Sequence, residues 1–224
     1  MSHKPKSEVV GTMKESGLVP VFSHPDPEIC KGVIKACYEG GLLVFEFTNR
    51  AQFAPEVFAS LSKYVQKELP GMLLGAGSVI DEPTAAIYMQ MGAKFIVSPG
   101  LVPEMAKICH RRNIMWIPGC ATVSEILKAM DLGADIVKIF PAAQVGGPSF
   151  VKAVLGPIPW VSIMPTGGVA PEMNNLEAWF SSGVDCVGMG SKLFPKTLVD
   201  QKNFDEISVI VKNTLAMIKE IRQP

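Results

Sequence analysis

Short apolar runs alternate with amphipathic stretches along nearly the whole chain. A short apolar run bounded by glycine, proline or polar residues predicts a buried strand, and apolar residues at helical spacing predict a helix that packs on one face. The predicted strands are 18–22, 42–48, 73–78, 94–98, 115–118, 136–140, 161–165 and 185–189. The predicted helices are 8–16, 27–39, 55–69, 83–91, 103–112, 123–132, 150–155, 176–182 and 204–222.

The order of these elements predicts the architecture. Nearly continuous apolar strands that alternate with helices are typical of a parallel sheet covered on both faces. Eight such units in 224 residues predict an α/β fold, a single-domain (β/α)8 or TIM barrel over residues 1–224, with residues 1–17 as an N-terminal helical extension. An open doubly wound sheet is less favoured, because no G-x-G-x-x-G follows the first strand.

Composition and charge narrow the function classes. Hydrophobic residues make up 48% and charged residues 19% of the chain, and the formal net charge is zero, which argues against binding to nucleic acid or to an anionic membrane. No apolar run approaches the ~20 residues of a membrane span, and the N-terminus lacks the apolar core of a signal peptide. Five scattered cysteines without C-x-x-C spacing indicate a reduced, cytoplasmic protein. The three histidines are far apart, so we expect no metal site.

The sixth predicted strand contains a lysine between apolar neighbours. Side chains alternate along a strand, so Ile136, Lys138 and Phe140 share one face, opposite Val137 and Ile139. Because burying a charged amine is costly, burial favours the neutral form, and a neutral, desolvated amine attacks carbonyl groups to form Schiff bases. Two ordinary explanations stay open: a buried structural ion pair, or an amine that reaches solvent at the strand end.

The second predicted strand carries a carboxylate. Val44, Glu46 and Thr48 share a face that we expect to point into the barrel. A lone strand carboxylate is more often a structural partner than a catalyst, but an inward-facing lysine makes Glu46 its partner and a candidate proton shuttle. Arg50 follows in the loop, where its guanidinium could bind a carboxylate or phosphate or simply lie on the surface.

Small residues gather where the predicted strands end, which is where catalytic groups collect in barrels of this kind. The third strand ends in Gly75-Ala-Gly77-Ser78, the fourth in Ser98-Pro99-Gly100, the seventh in Thr166-Gly167-Gly168 and the eighth in Gly190-Ser191. Two glycine-rich loops after the last two strands predict a phosphate site built from backbone N–H groups.

Other reactive side chains are better explained without a function. Cys120 and Cys186 have no histidine nearby in the sequence to activate them, so we expect them to be small core residues. Lys94 begins its strand and Lys192 lies in a loop, and neither competes with Lys138 as a nucleophile.

These motifs together resemble the short pyruvate-dependent class I aldolases, the 2-keto-3-deoxy-6-phosphogluconate (KDPG) and 4-hydroxy-2-oxoglutarate (KHG) aldolases. Residues 41–50 are similar to the strand that carries the catalytic acid and base in this family. Residues 133–146 have the specific spacing of the strand that carries its Schiff-base lysine. The segments 75–79, 98–100, 118–125 and 165–168 also fit the family pattern in order. The resemblance extends from about residue 18 to the C-terminal helix.

The resemblance implies a role for each matching residue. Lys138 would form the Schiff base and Glu46 would be the acid and base of the reaction. The implied substrate-binding residues are Arg50, Ser78, Pro99, Phe140 and Thr166, and the implied phosphate-binding residues are Gly167, Gly168, Gly190 and Ser191. The resemblance also implies a homotrimer, no metal, and no cofactor besides the covalent imine on Lys138.

Some positions depart from the family pattern. Asn49 stands where an apolar residue is usual, Ile139 where leucine or phenylalanine is usual, and Ser78 where threonine is common. Ser23-His24 ends the first strand, where some relatives place an arginine. These departures bear on the identity of the substrate more than on the imine chemistry.

The expected activity is retro-aldol cleavage of a phosphorylated 2-keto-3-deoxy sugar acid, KDPG, to pyruvate and glyceraldehyde 3-phosphate. The galactonate epimer and KHG are further candidate substrates. Two alternatives from other classes remain. One is a phosphosugar isomerase or epimerase, and the other is a non-catalytic barrel that binds a phosphorylated metabolite and uses the Lys138–Glu46 pair only for structure.

Overall fold

The computed structural model describes residues 5–223, so residues 1–4 of the predicted extension, with His3, lie outside the described part of the chain. The strands are β1 (Leu18–Phe22), β2 (Val44–Thr48), β3 (Leu73–Gly77), β4 (Phe95–Val97), β5 (Met115–Ile117), β6 (Gly119–Cys120), β7 (Val137–Ile139), β8 (Ile163–Pro165) and β9 (Val187–Met189). The helices are α1 (Lys6–Ser16), α2 (Pro27–Glu39), α3 (Ala54–Glu68), α4 (Glu82–Gln90), α5 (Pro103–Arg111), α6 (Val123–Asp131), α7 (Gly147–Leu155), α8 (Met173–Phe180), α9 (Lys196–Asp200) and α10 (Phe204–Arg222).

The parallel strands close into a barrel. Six strands pair in the order β5-β4-β3-β2-β1-β9, and three pair in the order β6-β7-β8. The segments β5 and β6 are one barrel strand interrupted at Pro118, and a bridge between Thr166 and Gly188 joins β8 to β9. The Asp185 N–H also donates to the Ile163 carbonyl at 3.2 Å along this seam. The predicted (β/α)8 barrel is therefore confirmed.

Several element boundaries differ from the prediction. The helix α7 begins at Gly147 rather than at residue 150, and α8 spans Met173–Phe180 rather than 176–182. Their first turns contain glycine, proline or asparagine, so the apolar periodicity starts later than the helix itself. The short helix α9 was not predicted. Within residues 5–223, no helix combines the length and apolar character needed to cross a membrane.

Side chains of the barrel form two apolar clusters. The outer cluster lies between strands and helices and includes Val137 and Ile139, whereas the inner cluster includes Val44 and Ile136, as strand alternation predicts. Val9 and Met13 of α1 belong to the inner cluster, so this helix packs against the interior of the barrel.

Two ion pairs hold α1 at the amino-terminal end of the strands. Lys6 lies 2.5 Å from Asp135, just before β7, and Lys14 lies 3.3 Å from Asp185, just before β9. Because α1 fills this end, the opposite end, where the strands finish, is the one left for a ligand.

Candidate active site at the carboxyl ends of the strands

A lysine and a glutamate from different strands meet inside the barrel. Lys138 is the middle residue of β7 and Glu46 the middle residue of β2. The Lys138 Nζ lies 3.7 Å from the Glu46 Oε1, and the two side chains are only 6% and 1% exposed. The Lys138 Nζ also lies 5.2 Å from the centroid of the Phe140 ring. The amine is thus held between a carboxylate and an aromatic face, away from bulk water.

The Glu46 carboxylate has an unusual environment for a structural ion pair. Neither of its oxygens has a hydrogen-bond partner among the described residues. Gly77 of the neighbouring strand leaves it space, because a methyl group at that position would overlap the carboxylate. A buried ion pair that serves stability needs further hydrogen bonds to offset the cost of desolvation. The arrangement therefore leaves Glu46 available to exchange protons with a ligand.

A cavity of about 540 Å³ opens at the carboxyl ends of the strands. Seven of the eleven predicted site residues line it: Arg50, Phe140, Thr166, Gly167, Gly168, Gly190 and Ser191. The other four, Lys138, Glu46, Ser78 and Pro99, are not part of that wall. Phe140 connects the two groups, since its ring faces both the cavity and the Lys138 amine.

Thr166 is a second buried polar group without a partner. Its hydroxyl has no hydrogen-bond partner among the described residues, although the side chain lines the cavity. Gly188 of β9 makes room for this hydroxyl, because a methyl group there would overlap the Thr166 Oγ1. A buried polar atom without a partner is costly, and a ligand that hydrogen-bonds to it would remove that cost.

Ser78 and Pro99 do not line the cavity. The Arg50 Nε donates to the Ser78 Oγ at 3.0 Å, so Ser78 orients the guanidinium group. Ser78 adopts a left-handed backbone conformation with φ of 55°. Pro99 packs its carbonyl against Gly119, where a methyl group would overlap that oxygen. Gly119 is paired in register with Lys138, so Pro99 lies beside the lysine strand.

The loop after β8 is held in a conformation that requires glycine. Gly167 and Gly168 have φ values of 97° and 82°, in the left-handed region that other residues rarely adopt. The Ala143 N–H donates to the Gly167 carbonyl at 3.1 Å, and the Asn175 side chain donates to the Gly168 carbonyl at 3.1 Å. The loop is thus preformed on the cavity wall.

Three further residues at strand ends line the cavity: Ser23, His24 and Thr48. The Thr48 Oγ1 donates to the Ser23 Oγ at 2.8 Å and ties the ends of β1 and β2 together. Strand alternation places Thr48 on the face of Glu46 without indicating a role, and Ser23-His24 stands out in the sequence only as a departure from the family pattern. Their position at the end of a strand is the feature of the sequence that could have identified them.

The cysteines are not nucleophiles in this site. Burial raises the pKa of the Cys30, Cys109, Cys120 and Cys186 thiols to about 12 and raises the pKa of Cys37 as well. At neutral pH these groups are therefore protonated and poor nucleophiles. We expect the folded protein to react negligibly with Ellman's reagent at pH 8, and the denatured protein to release the signal of five thiols. Rapid labelling of the folded protein would contradict the buried positions.

No cluster of three or more histidine, cysteine, aspartate or glutamate side chains within residues 5–223 could hold a metal ion.

Comparisons with known proteins identify the family. The family model for KDPG and KHG aldolases matches residues 9–210. The chain belongs to the KDPG and KHG aldolase family. The resemblance inferred from the sequence is thereby confirmed, and with it the expectation that the protein is an aldolase, and so a lyase.

Relatives support this assignment along most of the chain. A 2-dehydro-3-deoxy-phosphogluconate aldolase of Pseudoalteromonas atlantica is 34% identical over 199 residues, which are 89% of this chain and 90% of that protein. A KHG/KDPG aldolase of Escherichia coli is 31% identical over 210 residues, which are 94% of this chain and 96% of the relative.

Solved structures of the family share the fold. The KDPG aldolase of Legionella pneumophila, with pyruvate captured at low pH as a covalent carbinolamine intermediate, is 31% identical and superposes with a TM-score of 0.81 over 90% of this chain and 95% of that one. The KDPG aldolase of Zymomonas mobilis with 3-phosphoglycerate is 28% identical, with a TM-score of 0.81 over 95% and 97% of the two chains.

Proposed function

We propose that this protein is a class I aldolase that cleaves KDPG to pyruvate and glyceraldehyde 3-phosphate. The galactonate epimer and KHG are further substrates of the same chemistry. The observation that carries the proposal is the buried Lys138–Glu46 pair, in which the carboxylate has no hydrogen-bond partner among the described residues. The pyruvate carbinolamine captured in the Legionella relative supports the Schiff-base route.

The reaction begins with the lysine. Glu46 takes the proton of the Lys138 ammonium, and the neutral amine attacks the C2 ketone to form a carbinolamine. Glu46 returns this proton to the hydroxyl, which leaves as water. Glu46 then takes the proton of the C4 hydroxyl as the C3–C4 bond breaks. The electron pair of that bond moves into the protonated imine, so the aldehyde leaves and an enamine remains. Protonation at C3 and hydrolysis release pyruvate and the free amine.

The cavity wall would hold the rest of the substrate. Arg50, whose guanidinium is oriented by Ser78, and the Thr166 hydroxyl would bind the pyruvyl carboxylate region or other polar groups of the substrate. Phe140 and Pro99 would keep the reacting carbons dry. Backbone N–H groups in the loops of Gly167, Gly168, Gly190 and Ser191 would bind the phosphate. No metal and no cofactor besides the imine takes part.

Reductive trapping tests the function. The protein is incubated with pyruvate and sodium borohydride, digested, and analysed by mass spectrometry. We expect a covalent adduct on Lys138 and on no other lysine. A phosphosugar isomerase or epimerase, or a non-catalytic binding barrel, would give no adduct and would refute the proposal. A panel of KDPG, its galactonate epimer and KHG, assayed for pyruvate release, then ranks the substrates.

We also propose that the chain is one domain, residues 1–224 with 1–17 as a helical extension, and that it functions in the cytoplasm. The inner apolar cluster, which joins α1 to the barrel strands, supports the single domain. The five free, buried cysteines suit a reducing compartment.

A homotrimer is the proposed assembly. Five large apolar side chains are exposed between residues 53 and 127: Phe53, Ile80, Ile87, Val123 and Leu127. Burial of such side chains between copies would favour association. We expect sedimentation velocity to give three times the mass of the chain, and Ile80→Glu with Ile87→Glu to shift the protein to monomer. Trp160→Ser, which removes another exposed apolar side chain, is the control. A monomeric wild type would contradict the trimer.

A further inference from the structure

Part of the cavity wall carries cationic and hydrogen-bonding side chains that the proposed reaction does not use. The basic ones are His24, Lys192 and Lys196. β1 pairs with β2 on one side and with β9 on the other, so the residues after β1 lie between the loop of Arg50 and the loop of Gly190. His24 is therefore placed beside the proposed phosphate loop.

The hydrogen bonding of His24 leaves one nitrogen available as a donor. The Asp26 N–H donates to the His24 Nδ1 at 3.0 Å. In a neutral imidazole only one nitrogen carries a hydrogen, so the accepting role of Nδ1 assigns that hydrogen to Nε2. The ring is half-buried and lines the cavity. The Nε2–H is thus a fixed donor at the rim of the cavity.

Lys192 and Lys196 differ in their availability to a ligand. The Lys196 Nζ lies 2.5 Å from the Asp200 Oδ2, one turn along the same helix, so its charge is already compensated. Lys192 directly follows Ser191, is exposed, and has no ion-pair or hydrogen-bond partner among residues 5–223. An uncompensated ammonium beside the proposed phosphate loop favours an anionic ligand.

We propose that His24 and Lys192 form the side-chain half of the distal anion subsite and select phosphorylated keto acids over unphosphorylated ones. The backbone loops of Gly168 and Gly190 would supply the other half. This inference rests on the proposed aldolase function, because it names the part of the same cavity that recognises the end of the substrate remote from Lys138.

Binding of two matched probes tests the subsite without turnover. Calorimetry compares 3-phosphoglycerate with glycerate, which differ only in the phosphate group, in the wild type and in variants. His24→Phe, which keeps a ring but loses the donor, should weaken the binding of 3-phosphoglycerate about tenfold. Lys192→Met should weaken it about threefold to fivefold, since the side chain is exposed to solvent. Neither variant should change binding of glycerate by more than about twofold.

Three further variants show whether the two side chains act specifically. His24→Gln keeps a donor near the position of Nε2 and should restore binding of 3-phosphoglycerate to within about threefold of the wild type. Lys196→Met on the cavity wall and Lys212→Met on α10 remove the same charge elsewhere and should change binding by less than about twofold. The proposal is wrong if His24→Gln binds as weakly as His24→Phe, if Lys196→Met matches Lys192→Met, or if both probes are weakened equally.

Borohydride trapping tests the aldolase function, and the binding of 3-phosphoglycerate tests the distal subsite separately. Trapping with pyruvate and borohydride reports on Lys138 and needs no phosphate, so His24→Phe and Lys192→Met should be trapped like the wild type. A wild type that is not trapped refutes the aldolase. A trapped wild type whose variants keep their preference for 3-phosphoglycerate refutes only the distal subsite.

Discussion

Replacement of Lys138 should abolish cleavage of KDPG. We expect Lys138→Ala and Lys138→Arg to lower kcat by at least about 10⁴-fold, because neither side chain can form an imine with the substrate ketone. Arginine keeps the positive charge beside Glu46 but remains protonated at all accessible pH values. The measurement is pyruvate release coupled to lactate dehydrogenase, together with borohydride trapping, which should give no adduct in either variant.

A matched lysine provides the control. Lys94 lies just before β4, at the opposite end of the barrel from the cavity. Its backbone N–H donates to the Leu74 carbonyl at 2.9 Å. Lys94→Arg should retain activity to within about twofold. Activity close to the wild type in Lys138→Ala, with an unaltered circular dichroism spectrum, would refute the imine mechanism.

The fold should survive the Lys138 substitutions, although stability will change. Lys138→Ala leaves the Glu46 carboxylate buried without its ion-pair partner, and breaking one side of such a pair costs about 3–5 kcal/mol. The double variant Lys138→Met with Glu46→Gln removes both charges and should recover part of this loss. Chemical denaturation of the three proteins separates the loss of stability from the loss of the nucleophile.

Local patterns in the sequence were sufficient to predict the barrel and the faces of its strands. Side chains alternate strictly along a strand, so Lys138 and Ile136 had to share one face, as Glu46 and Val44 had to share another. The structure buries Ile136 and Val44 in the inner cluster, on the side from which the lysine and the glutamate approach each other. The contact between Lys138 and Glu46 therefore follows from the alternation of side chains along each strand and from closure of the sheet into a barrel.

Features that depend on contacts between distant segments were not predictable. Pro118 divides one strand into β5 and β6, because proline has no N–H to donate. Its carbonyl still accepts a hydrogen bond from the backbone N–H of Lys138 at 2.9 Å. The hydrogen bond between Arg50 and Ser78 joins the loops after β2 and β3, and the space for the Glu46 carboxylate depends on Gly77 in the next strand. No local pattern encodes such contacts.

The substrate-binding wall was only partly predicted for the same reason. The glycine loops after β8 and β9 stand out in the sequence because glycine adopts backbone conformations that other residues avoid. His24 does not stand out, since its placement depends on the pairing of β1 between β2 and β9 and on the bond from the Asp26 N–H. Ser78 and Pro99 fit the family pattern but support other residues instead of lining the cavity.

Replacement of Glu46 by glutamine should lower kcat by about 10²–10⁴-fold, the usual scale of general acid–base catalysis. Glutamine has nearly the same shape and fits the space beside Gly77, but its amide cannot take the proton of the C4 hydroxyl. Single-turnover cleavage of KDPG measures the chemical step directly. A loss of less than tenfold would show that Glu46 is not the base.

The matched control for Glu46→Gln is Glu125→Gln, the same chemical change in the first turn of α6. The pKa of Glu125 is lowered by the Ala121 N–H, which donates to its carboxylate at 2.8 Å, and this carboxylate caps its own helix with Thr122. Glutamine also serves in a capping box, so activity should stay within about twofold of the wild type.

Glu46→Gln should also slow borohydride trapping of pyruvate, because proton transfer limits dehydration of the carbinolamine. The final amount of adduct on Lys138 should be the same as in the wild type, because the nucleophile itself is intact. Trapping at the wild-type rate would restrict Glu46 to the bond-breaking step.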